Sequence, residues 1–432
     1  MGLLERVFKL QEHETTVRTE VIAGATTFLT MAYIIFVNPI ILGDAGMPHD
    51  AVFVVTCLAA AIGTIIMALY ANYPIAMAPG MGLNAYFTYT VVIGMGYTWQ
   101  EALGMVFISG CLFILVTLIG LRSAIVRAIP GSLASAIAAG IGLFLGLIAL
   151  EQAGIVGASE ATLVTLGNLQ QVSVVLAAIG FVVIVALDRF RVPGAILIGI
   201  VGVTIASFFF AGNEFKGVVS APPSIAPTFF KLDLRGALSH GFLNVVLVFF
   251  LVELFDATGT LMGVAKRAGL LVPGEMRRLN KALFSDGVAI FFGSLLGTSS
   301  TTAYAESAAG VQAGGRTGLT ALTVCVLFLL ALFFAPLAGV VPAYATAPAL
   351  LFVCCIMARE LAEVNWEDIT ESVPAVLTAI MMPLTYSIAN GLAFGFISYA
   401  AIKLLSGRVR EVNWLVWLIA LVFLLRFWYI GS

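Results

Sequence analysis

The stretch Gly297-Thr298-Ser299-Ser300-Thr301-Thr302-Ala303-Tyr304-Ala305-Glu306-Ser307 decides how this chain folds. Apolar runs flank it at residues 282–296 and 318–340, so its position places it inside a membrane. Yet it carries five hydroxyl residues in succession, Thr298 to Thr302, and then the carboxylate of Glu306. A charged side chain near the bilayer centre costs roughly 2.5–3.5 kcal/mol on insertion scales, so it is usually there for a function. The small and β-branched residues predict extended backbone, followed by a helix starting near Ala303 with Glu306 one turn inside it. Non-helical backbone at membrane depth survives only where protein buries it or where it lines a cavity. A half-helix whose N-terminus opens at the midplane is the pattern of a secondary-transporter site.

A partner stretch lies in the other half of the chain. Ile75-Ala76-Met77-Ala78-Pro79-Gly80-Met81-Gly82-Leu83-Asn84-Ala85-Tyr86 reads as an apolar strand broken by Pro79, Gly80 and Gly82, with a helix running on through Tyr86. Asn84-Ala85-Tyr86 matches Thr302-Ala303-Tyr304 at an offset of 218 residues (302 less 84), about half the chain. Two interrupted hydrophobic segments at corresponding positions of two halves point to a binding site far better than the three-residue match does.

Composition agrees with a polytopic membrane protein. Of 432 residues, 61% are hydrophobic and 10% charged, and the mean hydropathy is +1.08. A soluble chain needs roughly 25% charged residues to cover its surface. The net charge of −2 gives nucleic acid nothing to bind. Cys57, Cys111, Cys325, Cys354 and Cys355 all fall in apolar runs, which predicts small core side chains rather than a disulfide framework. Residues 1–20 are polar and of mixed charge without a signal-peptide pattern, so the first span is expected to act as its own insertion signal.

Apolar runs predict spans at residues 21–42, 51–70, 75–93, 102–121, 133–150, 172–187 and 193–210. After a polar stretch they resume at 240–264, 282–296, 298–311, 318–340, 345–357, 372–388 and 392–405. The expected fold is thus all-α and polytopic, with about 14 transmembrane segments and two broken spans, each a short strand plus a half-helix, meeting at the midplane. Seven per half is odd, so the second repeat enters from the opposite side and the 7+7 repeat is inverted. Ile129-Pro130 and Val341-Pro342, which open the fifth and twelfth spans, echo that symmetry. With the N-terminus inside, 17 of the 21 basic residues fall on the inner side and only Lys216, Lys231 and Arg235 outside. That split follows the positive-inside rule and supports a cytoplasmic N-terminus. Arg426 belongs to a Trp- and Phe-rich run at 414–430, which either lies at the interface or crosses as an extra span.

Three carboxylates read as deeply placed: Glu253, Asp256 and Glu306. On a helix Glu253 and Asp256 are three apart and share a face. Glu306, near a half-helix N-terminus, benefits from the positive end of the helix dipole. No lysine or arginine shares these segments, and a buried carboxylate without a cation tends to bind a proton. Proton coupling follows as the expectation, with sodium held by Ser and Thr oxygens as the less favoured choice. His13, His49 and His240 lie at the tail, in a loop and at a span edge, and none reads as a metal ligand or a mid-membrane relay. Asn84 offers donors and an acceptor suited to a neutral planar heterocycle, with capping of its half-helix as the less favoured reading. Gly80 and Gly82 permit close backbone approach. Thr302 adds a hydroxyl, and Phe87, Tyr86 and Tyr304 are candidates to stack on a ring, although aromatic residues in spans are more often packing. No cofactor is expected.

At these residues the chain resembles the azaguanine-resistance branch of purine permeases, within the nucleobase–cation symporter-2 (nucleobase–ascorbate transporter) superfamily. The resemblance rests on residues 26–33, Val37-Asn38-Pro39, Pro79 through Phe87, 254–261, 297–310 and Gly314-Gly315-Arg316-Thr317-Gly318, and it covers nearly the whole chain. It implies a core and a gate domain: a cytoplasmic tail at 1–20, core at 21–121, gate at 122–212, central loop at 213–239, core at 240–340, gate at 341–406 and a C-terminal segment at 407–432. It further implies proton symport of adenine, hypoxanthine or guanine across the plasma (inner) membrane, a homodimer formed through the gate, and substrate binding at Asp256, Glu306, Gly82 and Asn84, with a less defined part for Glu253.

The alternatives are a xanthine/uracil-type symporter, an anion exchanger of the same architecture, a channel and an intramembrane enzyme. Uncompensated Asp256 and Glu306 repel an anion, paired broken helices suit alternating access better than a channel, and neither a His-Glu-x-x-His nor a Gly-x-Gly-Asp motif is present for an enzyme. The charge split generates a direct test. Single cysteines at positions 275 and 224 should react with impermeant thiol reagents from opposite sides of the membrane; labelling of both from outside contradicts the fourteen-span topology.

Overall fold

A computed structural model describes residues 3–429 apart from 122–124, 126–127, 160, 216, 239–241, 269–270, 273–274 and 277. Arg122, Arg127, Lys216, His240 and Arg277, and the last residue of the 414–430 run, lie outside the described residues.

The first half contains α1 (Val17–Met31), α2 (Ile34–Asp44), α3 (His49–Ile66), strand β1 (Met77–Pro79) and α4 (Met81–Ala85). It continues through α5 (Trp99–Leu118), α6 (Gly131–Gln152), α7 (Val172–Arg189) and α8 (Ala195–Phe210). The second half contains α9 (Phe242–Arg267), α10 (Leu279–Leu296), strand β2 (Thr301–Ala303), α11 (Ser307–Gln312) and α12 (Gly318–Ala331). Then come α13 (Ala343–Met357), α14 (Ile369–Leu384), α15 (Ile388–Leu405) and α16 (Trp414–Tyr429).

Among the described residues ten helices are long and apolar enough to cross a membrane, counting Val17–Asp44 as one. Two more expected spans, α8 and α14, are apolar helices of 16 residues each. The remaining two expected segments are the interrupted ones, in which strand and helix follow each other as β1–α4 and β2–α11. Pro130 and Pro342 occupy the N-cap positions of α6 and α13, where the missing N–H costs nothing.

Three readings need correction. The second half-helix starts at Ser307, not near Ala303, and Glu306 sits just before it in helical backbone conformation (φ −61°, ψ −19°) rather than one turn inside. Pairing with β1 holds Thr301–Ala303 extended, and the Tyr304 N–H carries the ladder one residue further, donating to the Ala76 carbonyl at 3.0 Å. The offset between the two interrupted spans is also different. Antiparallel pairing of Met77 with Ala303 and Pro79 with Thr301 aligns the two strands 224 residues apart (303 less 79), so Thr302 corresponds to Ala78 rather than to Asn84, and Glu306 to Gly82. Finally, Cys111 and Cys355 are exposed; Cys57, Cys325 and Cys354 are buried as expected, and all five are free.

The first span is not one helix. The Thr30 hydroxyl donates back to the carbonyls of Thr26 (3.1 Å) and Thr27 (2.8 Å), an arrangement that bends helices. The chain breaks at Ala32 and Tyr33 before resuming as α2. The C-terminal run forms a helix whose Val416, Ile419, Ala420 and Phe423 are buried, with Phe423 stacked on Phe396 of α15 at 6.3 Å. Its 16 residues, about 24 Å, match the length of α8 and α14.

Close approach of backbones fixes α11. A Cβ built on Gly310 would lie 2.0 Å from Thr27 Oγ1 and 2.6 Å from the Ala23 carbonyl oxygen of α1. Small residues let membrane helices approach this closely. Gly310→Ala should therefore push α11 off α1 and cost about 1–3 kcal/mol, read as a lower unfolding temperature of the purified protein; an unchanged midpoint would show that the two helices are not locked together.

Candidate functional site

β1 and β2 cross in the interior, with every residue of both strands buried. Two strands leave two edges, and at membrane depth no water satisfies them. On the β1 edge the Thr64 hydroxyl serves both groups of Met77, accepting from its N–H at 2.9 Å and lying 3.1 Å from its carbonyl oxygen. On the β2 edge Asp286 Oδ1 accepts from the Ala303 N–H at 3.0 Å and from the Thr302 hydroxyl at 3.1 Å. Pro79 has no N–H to satisfy, and its carbonyl accepts from the Tyr304 hydroxyl at 2.6 Å. The Gly80 N–H closes the ladder on the Ser300 carbonyl at 2.9 Å.

Glu306 emerges where β2 turns into α11. Its Oε1 accepts a 2.5 Å hydrogen bond from the Tyr33 hydroxyl, which the break between α1 and α2 delivers. Asp256, on α9, approaches from the facing side: a Cβ on Gly80 would lie 3.7 Å from its Oδ2. Both carboxylates stay partly accessible, as does Gly82. Among the described residues neither acid forms an ion pair with a lysine, arginine or histidine. Gly82 is the point where α4 meets α6, since a Cβ there would fall 2.4 Å from Ile141 Cγ2.

The other expected site residues turn inward. Thr302 is 1% exposed and spends its hydroxyl on Asp286. Asn84 is fully buried; its Nδ2 donates to Asn38 Oδ1 at 2.6 Å, and its Oδ1 accepts from the Ser299 hydroxyl. Asn38 Nδ2 donates in turn to Thr56 (2.7 Å) and Thr298 (3.1 Å), so the amides knit α2, α3, α4 and the β2 approach together. Glu253 is fully buried and accepts from Ser109 of α5 at 2.7 Å, which ties it to a neighbouring span. Phe87 and Tyr86 are fully buried, Tyr86 edge-on to Phe249 at 4.9 Å, and Tyr304 is 5% exposed.

Sequence reasoning missed Tyr33, Asn38, Ser299 and Asp286. It counted three deep carboxylates, whereas Asp286 and Glu20 are also fully buried. Glu20 accepts from the amides of Arg316, Thr317 and Thr320, capping the start of α12. The hydroxyls of Ser300 and Thr301 are buried with no hydrogen-bond partner among the described residues.

Comparison with known proteins places this geometry in a family. A model of the Permease family matches residues 18–394. The chain is 50% identical over 432 residues to the adenine permease AdeP of Escherichia coli (strain K12), covering all of this chain and 97% of that protein. It is 45% identical to the guanine/hypoxanthine permease PbuO of Bacillus subtilis (strain 168), covering 97% and 99% respectively. In fold it is similar to the transmembrane domain of a cyanobacterium bicarbonate transporter, BicA, with a TM-score of 0.64 at 18% identity over 88% of this chain and 97% of that one. The chain is a multi-pass membrane transport protein and not an enzyme, and it belongs to the Permease family.

Proposed function

We propose that the chain imports purine nucleobases (adenine, hypoxanthine or guanine) by proton symport, through alternating access of a fourteen-span, 7+7 inverted-repeat fold. The observation that carries this reading is the pair of partly accessible, cation-free carboxylates, Glu306 and Asp256, at the crossing of two paired interrupted spans. A purine presents adjacent ring N–H and amine donors, which carboxylates accept. The names of AdeP and PbuO support a purine substrate. Substrate engages Asp256 and Glu306 beside Gly82, and the symported proton resides on one of these acids; Asn84, Thr302 and Glu253 hold the frame, and Tyr86, Tyr304 and Phe87 pack it.

The core comprises residues 21–121 and 240–340 and the gate 122–212 and 341–406, with α6 meeting the site at Gly82. We place the protein in the plasma membrane with a cytoplasmic N-terminus and pair it as a dimer through the gate. Two uncompensated carboxylates weigh against anion exchange, although bicarbonate is carried by a protein of similar fold.

Asp256→Asn and Glu306→Gln keep shape but remove charge, and each should lower nucleobase uptake at least about ten- to a hundredfold while the protein still reaches the membrane. Tyr33→Phe removes the donor to Glu306 and should weaken uptake about tenfold. Full uptake by both carboxylate variants would move the site elsewhere in the fold. Coupling has its own readout: uptake should rise as external pH falls and collapse with a protonophore. Uptake that ignores protonophore but requires sodium would assign the coupling to a cation near Ser300 and Thr301.

A further inference from the structure

A half-open cavity of about 370 Å³ lies at the end of α6 opposite Pro130, with the exposed carboxylates of Asp44 and Glu151 at its rim. The 22 residues of α6 put it about 33 Å from that cap. Tyr89 reaches it from the π-helical continuation of α4 (Tyr86–Gly94), eight residues and so about 12 Å beyond Met81. Elements from both proposed domains meet here: Asp44 and Tyr89 on one side, Glu151, Gln152 and Tyr386 on the other.

The hydrogen bonds within the cavity leave more acceptors than donors: Gln152 Oε1, Asp44 Oδ1 and Glu151 Oε1 stand against the second N–H of Gln152 Nε2. The Tyr89 hydroxyl donates to Asp44 Oδ2 at 2.7 Å and accepts from Gln152 Nε2 at 3.1 Å. The Tyr386 hydroxyl donates to Glu151 Oε2 at 2.6 Å. Gln152 Oε1 is buried and accepts from nothing among the described residues. A buried carbonyl without a donor is costly, so it calls for a ligand that brings one. The tyrosine rings stand edge-to-face, centroids 5.9 Å apart, and Ile93 and Ile148 complete apolar walls. Tyr386 holds its place with a left-handed backbone (φ +51°), its carbonyl accepting from the Thr90 hydroxyl at 3.1 Å. Non-glycine residues persist in that conformation when their surroundings fix them.

We propose that this cavity is a second nucleobase subsite on the path to the carboxylate pair, binding a neutral planar nitrogen heterocycle through its N–H donors. Gln152 Oε1 and the second oxygens of Asp44 and Glu151 are the acceptors, and the rings and isoleucines contact the flat faces. An anion is repelled by the two acids, and a bare cation makes no use of the apolar walls. The proposal rests on the transport reading above, and its test separates the two.

The probes are labelled adenine and hypoxanthine, on the purified full-length chain in lipid nanodiscs. Glu306→Gln disables the central site, so saturable binding that survives in that variant reports the outer cavity. Adding Gln152→Leu or Tyr386→Ala to it should weaken the surviving binding about tenfold, whereas Tyr386→Phe, which keeps the ring, should weaken it less. In the otherwise unchanged chain Gln152→Leu should raise the KM for uptake about fivefold, with a smaller effect on kcat. If the unchanged chain binds nucleobase and Glu306→Gln binds none, the outer subsite is overturned and the central reading stands. Residual binding indifferent to Gln152→Leu overturns the subsite as well. Absence of both binding and uptake in the unchanged chain overturns the transport reading and the subsite with it. Should Tyr386→Ala fail to reach the membrane, Gln152→Leu decides alone.

Discussion

Backbone amides and carbonyls at membrane depth must find partners within the protein, and the rest of this structure depends on how β1 and β2 meet that demand. Six residues from two distant parts of the chain pair with each other. Their outward edges are then closed by side chains from neighbouring spans, Thr64 on α3 and Asp286 on α10. Once the edges are closed, extended backbone is tolerated in the interior, and the chain can end a helix there and start another. The openings so created are where polar chemistry concentrates.

The two interrupted spans have one architecture and different chemistry. In the strand register Gly82 and Glu306 stand 224 residues apart, at matching distances beyond their strands. The glycine lets α4 press against Ile141 of α6, whereas the glutamate reaches Tyr33 at the break in the first span. One half therefore supplies a packing contact and the other a charge.

Much of the fold was legible in the sequence. Pro79, Gly80 and Gly82 announced one interruption and the hydroxyl run another, because both patterns are poor helix interiors. The helix start at Ser307 was not legible, since what keeps Thr301–Ala303 extended is a strand more than two hundred residues away. The Asn84-Ala85-Tyr86 echo misled for the same reason: local similarity carries no register. Asp286 lies a few residues after Lys281 near the start of an apolar helix, where a charge reads as a solvated end; only the tertiary fold turns it onto β2. Of the candidate site, Glu306 and Asp256 stood out as charges without counter-ions. Tyr33 did not, because a tyrosine in a span looks like packing until its partner is known.

The pairing of β1 with β2 also has a consequence in time. Met77–Pro79 leave the ribosome 224 residues before their partners, a lag of about 10–45 s at ordinary rates of synthesis. Thr64 is available to the β1 edge from the outset, but the edge that will face β2 has nothing to bond until the second half arrives. Until then the first half cannot hold Met77–Pro79 in their native pairing, and the segment must satisfy its backbone groups in some other way. A chain interrupted before Thr301 has no route to the native crossing, so the two interrupted spans can be completed only together.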